Sequence, residues 1–148
     1  MIVIADTSGL LALFNRSEPE HFAVRRAADS ASTLVASPLA LTEVHQVAGI
    51  RGDRKTADRI VELLADRIAS TRLVLGQVDA ERLRAAVHIR STYAGLNLDI
   101  VDAMCVVLAA EFDTNAILTL DRRDFRALRP LGGSPAFRLL PDDMGGLR

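Results

Sequence analysis

Cysteine is almost absent from the chain: Cys105 is the only one among 148 residues. That excludes a disulfide framework and a Cys-based metal cluster. Tryptophan is missing, and Tyr93 is the only aromatic besides five Phe. A platform on which several bases stack is therefore not expected. No apolar run approaches the roughly 18–20 residues that a membrane span requires. The longest, Ala103 to Ala110, covers about two helical turns. The opening residues MIVIADTS lack the basic region and small-residue cleavage site of a signal peptide, so a cytoplasmic protein is expected. Strong charge of either sign is also missing, with 18 basic residues against 19 acidic ones. That excludes the strongly basic character of many nucleic-acid binders without excluding nucleic acid.

What is present is an apolar chain of single-domain size. Hydrophobic residues make up 49%, which excludes disorder, and the length suits one domain over residues 1–148. No repeat, low-complexity segment or linker interrupts it, although the end, from about residue 141, reads as a frayed tail. Of the basic residues, 17 are Arg and one is Lys55. Arginine is the better fork for phosphate, though genome composition gives the same skew.

Apolar β-branched runs predict strands at Ile2–Ala5, Thr33–Ala36, Arg72–Leu75 and Ala116–Leu120, with a last one at Phe137–Leu140. Helical spacing fills the gaps. Helices are expected over Ser8–Asn15 and Pro19–Ser30, and from the Ser37-Pro38 start to about Gly49–Gly52. Others run from about Asp53 to Ala69, from Asp79 to near Gly95 (carrying Leu83, Val87 and Tyr93), over Asp99–Phe112 and over Arg122–Leu128. Strands alternating with helices predict an α/β fold, a parallel sheet of four to five strands covered on both faces. Ligands of such sheets bind beyond the carboxyl ends of the strands.

Acids occupy telling positions. Asp6 and Asp121 each follow a predicted strand, so in a parallel sheet both carboxylates emerge at one edge. Each could also be an ordinary helix N-cap. Glu43 shares a four-residue stripe with Leu39, Val47 and Ile50, where a carboxylate needs a cation nearby. An arginine partner or a rotated helix would account for it equally. Asp99 and Asp102 open an apolar helix at i and i+3, which suits a capping pair. Taken together, four carboxylates converging on one cleft would not stay ionised without a cation. An all-oxygen donor set selects Mg²⁺ or Mn²⁺, whose natural chemistry is phosphodiester hydrolysis.

The segments IADTSGLLALF, SPLALTEV and LDIVDAMCVVLAAEFDTNAILTLDRRDF resemble the PIN-domain ribonucleases, most closely the VapC-type toxins of type II toxin–antitoxin pairs. The likeness covers nearly the whole chain. It implies a three-layer α/β/α fold and a metal-dependent endoribonuclease that uses Mg²⁺ or Mn²⁺. Carried over by position, the catalytic and metal-binding acids are Asp6, Glu43, Asp102 and Asp121. Ser8 falls where the family has a hydroxyl near the first Asp, and Asp99 is a cap or an outer helper. The resemblance also implies an RNA substrate, a cognate antitoxin as protein partner and a homodimer as a common assembly.

Setting the four acids aside leaves 18 basic residues against 15 acidic ones. Arg122, Arg123 and Arg126, with Arg129, follow Asp121 and are expected to contact phosphate, or else to form a solvated face with Asp124. Leu11, Phe14 and Phe22 could form a groove for the antitoxin or pack in the core. Two rivals fit less well. A haloacid-dehalogenase-like phosphatase would carry a second Asp where Ser8 stands, and a receiver domain would need a late Lys. A PIN-like module that binds RNA or protein without cutting is the remaining alternative.

Overall fold

A computed structural model describes residues 1–146 of the chain. Five strands form one parallel sheet: β1 (Ile2–Ala5), β2 (Thr33–Ala36), β3 (Leu73–Leu75), β4 (Ala116–Leu118) and β5 (Arg138–Leu140). Their order across the sheet is β3-β2-β1-β4-β5. The chain moves outward from β1 to β3 and then returns to the other side of β1. The boundary between β1 and β4 is therefore the switch point at which an open parallel sheet leaves a crevice.

Among the described residues seven α-helices cover the sheet: α1 (Thr7–Phe14), α2 (His21–Ser30), α3 (Pro38–Arg51), α4 (Arg54–Ala69), α5 (Ala80–Thr92), α6 (Ile100–Glu111) and α7 (Arg122–Ala127). Alternation along β1 sorts the two cores. Val3 and Ala5 face α1 to α4, packing with Leu10, Val24, Val44 and Leu64. Ile4 faces the other way, onto Met104 and Leu108 of α6 and Phe125 of α7. Strand residues buried on both sides must be apolar throughout, which is why β1 reads as one unbroken run. The same holds for α6, whose residues Ala103 to Ala109 are all buried.

Boundaries shift modestly from expectation. β4 ends at Leu118 rather than at residue 120, because Thr119 turns its hydroxyl toward Asp6. α5 buries Ala86 and Ile89 and leaves Leu83 and Val87 exposed. α3 differs more usefully. Its inward face is Ala40, Val44 and Ala48, and Ile50 is 84% exposed. Small residues let α3 approach its neighbours closely, so the Leu39–Glu43–Val47 stripe lies on the flank of the buried face. The expected tail also differs within the described residues. Asp143 accepts from the Leu139 N–H at 2.7 Å, and Met144–Gly146 form a 3-10 turn. Residues 147–148 of that expected tail lie outside the described residues.

Two glycines separate tight packing from open helix. A Cβ on Gly9 would lie 2.2 Å from the Leu118 carbonyl oxygen, whereas one on Gly49 would meet Ala57 at an ordinary 3.8 Å. Gly9→Ala should therefore cost about 1–3 kcal/mol through overpacking. Gly49→Ala should instead stabilise by up to about 1 kcal/mol through helix propensity. Urea melts of the two variants should move in opposite directions, and a Gly9→Ala protein as stable as wild type would contradict the packing.

Candidate active site

β1 and β4 pair in register, Ala5 opposite Leu118, and the Asp6 N–H donates to the Leu118 carbonyl at 3.0 Å. The next residues on each strand therefore meet at the crevice. Asp6 is 3% exposed. Its carboxylate accepts from the Thr119 hydroxyl at 3.0 Å and from Ser8 at 3.3 Å. Both hydroxyls also accept from the loop behind them: Thr119 from the Asp121 N–H and Ser8 from the Leu120 N–H, each at 2.9 Å. Ser8 and Thr119 thus hold the start of α1 to the turn that carries Asp121.

Helix capping separates the structural acids from the others. Asp53, Asp79 and Asp99 each occupy an N-cap position and accept the backbone N–H three residues on. Asp6 and Asp121 also stand at N-cap positions, yet neither side chain makes a capping bond. Their carboxylates face the crevice instead. Asp99 and Asp102 form a reciprocal capping box, with the Asp102 N–H donating to Asp99 at 2.8 Å and the Asp99 N–H donating back at 3.3 Å. The capping reading of that pair therefore holds, and it also fixes the Asp102 carboxylate at the mouth of the crevice.

Asp6, Ser8, Glu43, Asp99, Asp102 and Asp121 all line one cavity of about 210 Å³. Three helices and a turn bring them there from across the chain. Glu43 is half-buried on the cavity flank of α3, and among the described residues no cation pairs with it. Oxygen atoms of Asp102, Asp121 and Asp124 lie within 4.8 Å of one another, close enough to share a metal ion. Asp124 was expected only as a partner for neighbouring arginines. Its position three residues after Asp121, on the first turn of α7, was the available signal. Asp6 and Glu43 stand outside that tight triplet but on the same wall.

The electrostatics are those of a site short of positive charge. Burial pushes the Asp6 carboxyl up to about 6, partly offset by the Thr119 hydrogen bond. Burial, then the neighbouring Asp6 and Asp99 charges, push Asp102 up to about 8. Asp121 is also raised, by burial and by Asp124. Hard oxygen donors crowded in this way suit a divalent cation.

Two expected phosphate contacts are occupied elsewhere. Arg122 pairs with Glu20 and with Asp142, the latter at 2.7 Å. Arg126 pairs with Asp143 at 2.7 Å. These bonds pin α7 to α2 and to the end of the chain, so neither guanidinium stands free for RNA. Arg123 remains exposed beside Asp121. Arg51, at the end of α3, lines the cavity instead.

Comparison with known proteins gives consistent neighbours. The profile described as PIN domain matches residues 3–129. A protein of Mycobacterium tuberculosis (strain ATCC 25618 / H37Rv) named Ribonuclease VapC26 is 39% identical over 140 residues, covering 94% of this chain and all of that protein. Among solved structures, Mycobacterium tuberculosis VapC20, described as a sarcin-ricin loop cleaving toxin, superposes with a TM-score of 0.72 at 18% identity. It covers 83% of this chain and 92% of its own. VapBC2 from Rickettsia felis, bound to a DNA fragment from its promoter, gives 0.65 at 15% identity over 88% of this chain and 96% of its own.

The raised acids set a pH dependence of stability. The folded state holds protons on Asp6 and Asp102 that the unfolded chain has already released. Metal-free protein should therefore lose stability as pH rises from about 4 through about 6 to about 8. Asp53, Asp79, Glu111 and Asp143, all held below their ordinary range, act in the opposite sense only at more acid pH. Melting temperatures in EDTA across that window should fall, Mn²⁺ should reverse the fall, and Asp6→Asn should flatten its lower half. A level metal-free profile would refute the crowding.

Proposed function

The chain belongs to the PIN-domain family, and from that membership we infer that it is a VapC-type endoribonuclease that hydrolyses RNA phosphodiester bonds. The observation that carries this reading is the convergence of Asp6, Glu43, Asp102 and Asp121 on one cavity at the β1–β4 switch point. These four would hold Mg²⁺ or Mn²⁺, with Asp124 close enough to Asp102 and Asp121 to contribute. When bound, such an ion supplies an acidified water and neutralises charge on the reacting phosphate.

The remaining work falls to the chain's own groups. Thr119 and Ser8 hold the Asp6 carboxylate in one orientation, and the capping box does the same for Asp102. Such outer hydrogen bonds fix how a ligand set presents itself. No side-chain nucleophile is required when water attacks, and the family resemblance implies expulsion of the 3′ oxygen, which leaves a 5′-phosphate and a 3′-hydroxyl. The histidines stay outside this scheme. His45 pairs with the exposed Asp58 at 2.9 Å, and buried His21 bonds the Ala12 carbonyl at 2.7 Å. Cys105 is buried in the α6 core.

The partner is an antitoxin. Leu11 and Phe14 line a cleft of about 200 Å³ with Ala48, Gly52, Thr56 and Ile60 of α3 and α4. This cleft shares Leu11 and Arg51 with the acidic cavity. An apolar segment of the partner seated there would carry a neighbouring cation to the acids. Phe22, 66% exposed on α2, does not line this cleft, so of the three residues expected to form a groove Leu11 and Phe14 do so. We place the protein in the cytoplasm, where RNA and antitoxin are found. Among the described residues no helix is long and apolar enough to cross a membrane.

Purified protein should cleave single-stranded RNA in Mg²⁺ or Mn²⁺ and stop in EDTA. Asp6→Asn should lower kcat/KM by at least about 100-fold, since even outer-shell losses at metal sites cost 10- to 100-fold. Retained cleavage by that variant would assign the activity to another site or another protein.

A further inference from the structure

The acidic cavity carries one cation on its wall, Arg51, among ten lining residues. Five carboxylates, Asp6, Glu43, Asp99, Asp102 and Asp121, line the same cavity, and a guanidinium within reach of one would close onto it. Among the described residues Arg51 makes no ion pair and no hydrogen bond, although Arg82, Arg122 and Arg126 are each held by acids. It is exposed and stands at the last residue of α3. Glu43, Val47 and Arg51 follow one another at four-residue spacing, so they share the flank of α3 that lines the cavity. Along the axis Arg51 lies about 12 Å beyond Glu43, at 1.5 Å per residue.

We propose that Arg51 contacts the substrate, its guanidinium forking onto the RNA phosphate next to the one that is cut. The proposal rests on the nuclease reading above. Distance along α3 sets it beside the acids rather than among them, so it meets a flanking phosphate. Charge requires some such group. A cavity rich in carboxylates repels an anionic strand except where cations receive it. Of the arginines after Asp121 two, Arg122 and Arg126, are engaged in holding α7, while Arg123 does not line the cavity. A guanidinium offers two parallel donors that match two phosphate oxygens. Because a flanking phosphate stays unreacted, the contact binds ground state and transition state alike, and its loss belongs in KM.

The experiment uses the full chain and a short single-stranded RNA that the wild-type protein cuts at one position. Arg51→Gln should raise KM by about 10-fold with kcat within about twofold. It should also make the fall of log kcat/KM with log salt shallower by about 0.7, the loss of one single-strand phosphate contact. Arg51→Lys should restore the slope and part of the affinity. On the substrate side, a neutral methylphosphonate is placed at each position flanking the cleavage site. At one of them the wild-type protein should lose the same factor and Arg51→Gln should lose nothing further. An arginine that merely stabilises the end of α3 through its dipole would shift the melting temperature and leave all of these readouts unchanged. Wild-type KM and salt slope in Arg51→Gln, no restoration by Lys, or additive losses at every position would overturn the proposal. Asp6→Asn is assayed in parallel. Cleavage by that variant sinks the nuclease site itself, whereas an inactive Asp6→Asn beside an unaltered Arg51→Gln sinks only the role of Arg51.

Discussion

Carboxylate crowding at the β1–β4 boundary is the constraint around which the rest of the fold is arranged. Asp6 sits almost fully buried with a carboxyl pushed up to about 6, and burial, then the nearby Asp6 and Asp99 charges, push Asp102 up to about 8. Burying such groups costs free energy unless hydrogen bonds or a cation offset it. The Thr119 and Ser8 hydroxyls supply the hydrogen bonds, and they do so from opposite sides of the crevice. Each also receives a backbone N–H from the turn after β4. Local polar satisfaction and global placement of the acids are therefore one and the same set of bonds. The close approach of Gly9 to the Leu118 carbonyl belongs to that set, because a bulkier residue would separate α1 from the turn it is bonded to.

Parallel topology supplies the remaining geometry. Pairing of Ala5 with Leu118 delivers Asp6 and, three residues past the end of β4, Asp121 to one edge. α3 and α6 start from that same edge; α6 contributes Asp102 from its first turn, where the helix dipole acts, and α3 contributes Glu43 from its second. Helix starts present unpaired N–H groups and a positive dipole end, which moderates the repulsion without abolishing it. The surplus negative charge suits a hard cation better than a neutral ligand.

Much of this architecture was legible in the chain because burial on two sides leaves little freedom. β1 and α6 are apolar throughout and could hardly be surface elements. Helices begin near Asp53, Asp79 and Asp99 as expected, each capped by that residue, and Asp6 and Asp121 emerge together as the parallel sheet requires. The errors have physical causes. On α3, hydrophobicity favours the large residues Leu39, Val47 and Ile50, but close packing selects Ala40, Val44 and Ala48. The helix is rotated accordingly, so Ile50 points to solvent and Arg51 reaches the cavity. Asp124 was hidden because an acid among arginines reads as their partner. Arg122 and Arg126 are in fact satisfied by Glu20, Asp142 and Asp143, residues distant in sequence that only the fold brings near.

That exchange of partners has a consequence for the cation pattern around the cavity. Arg122 and Arg126 face away from the acids, tying α7 to α2 and to the end of the chain, and so hold Asp121 and Asp124 at the crevice. Their contribution to the site is placement of negative charge, the reverse of what their sequence position suggests. Positive charge on the cavity wall is left to α3, on the side where the apolar cleft begins. An approaching anionic strand and an approaching apolar segment thus meet the same border, marked by Leu11 and Arg51. A partner seated in the cleft would exclude RNA by occupying that border as well as by delivering a cation to the acids. Inhibition of that kind would need no change of fold, because the cleft and the cavity share two side chains.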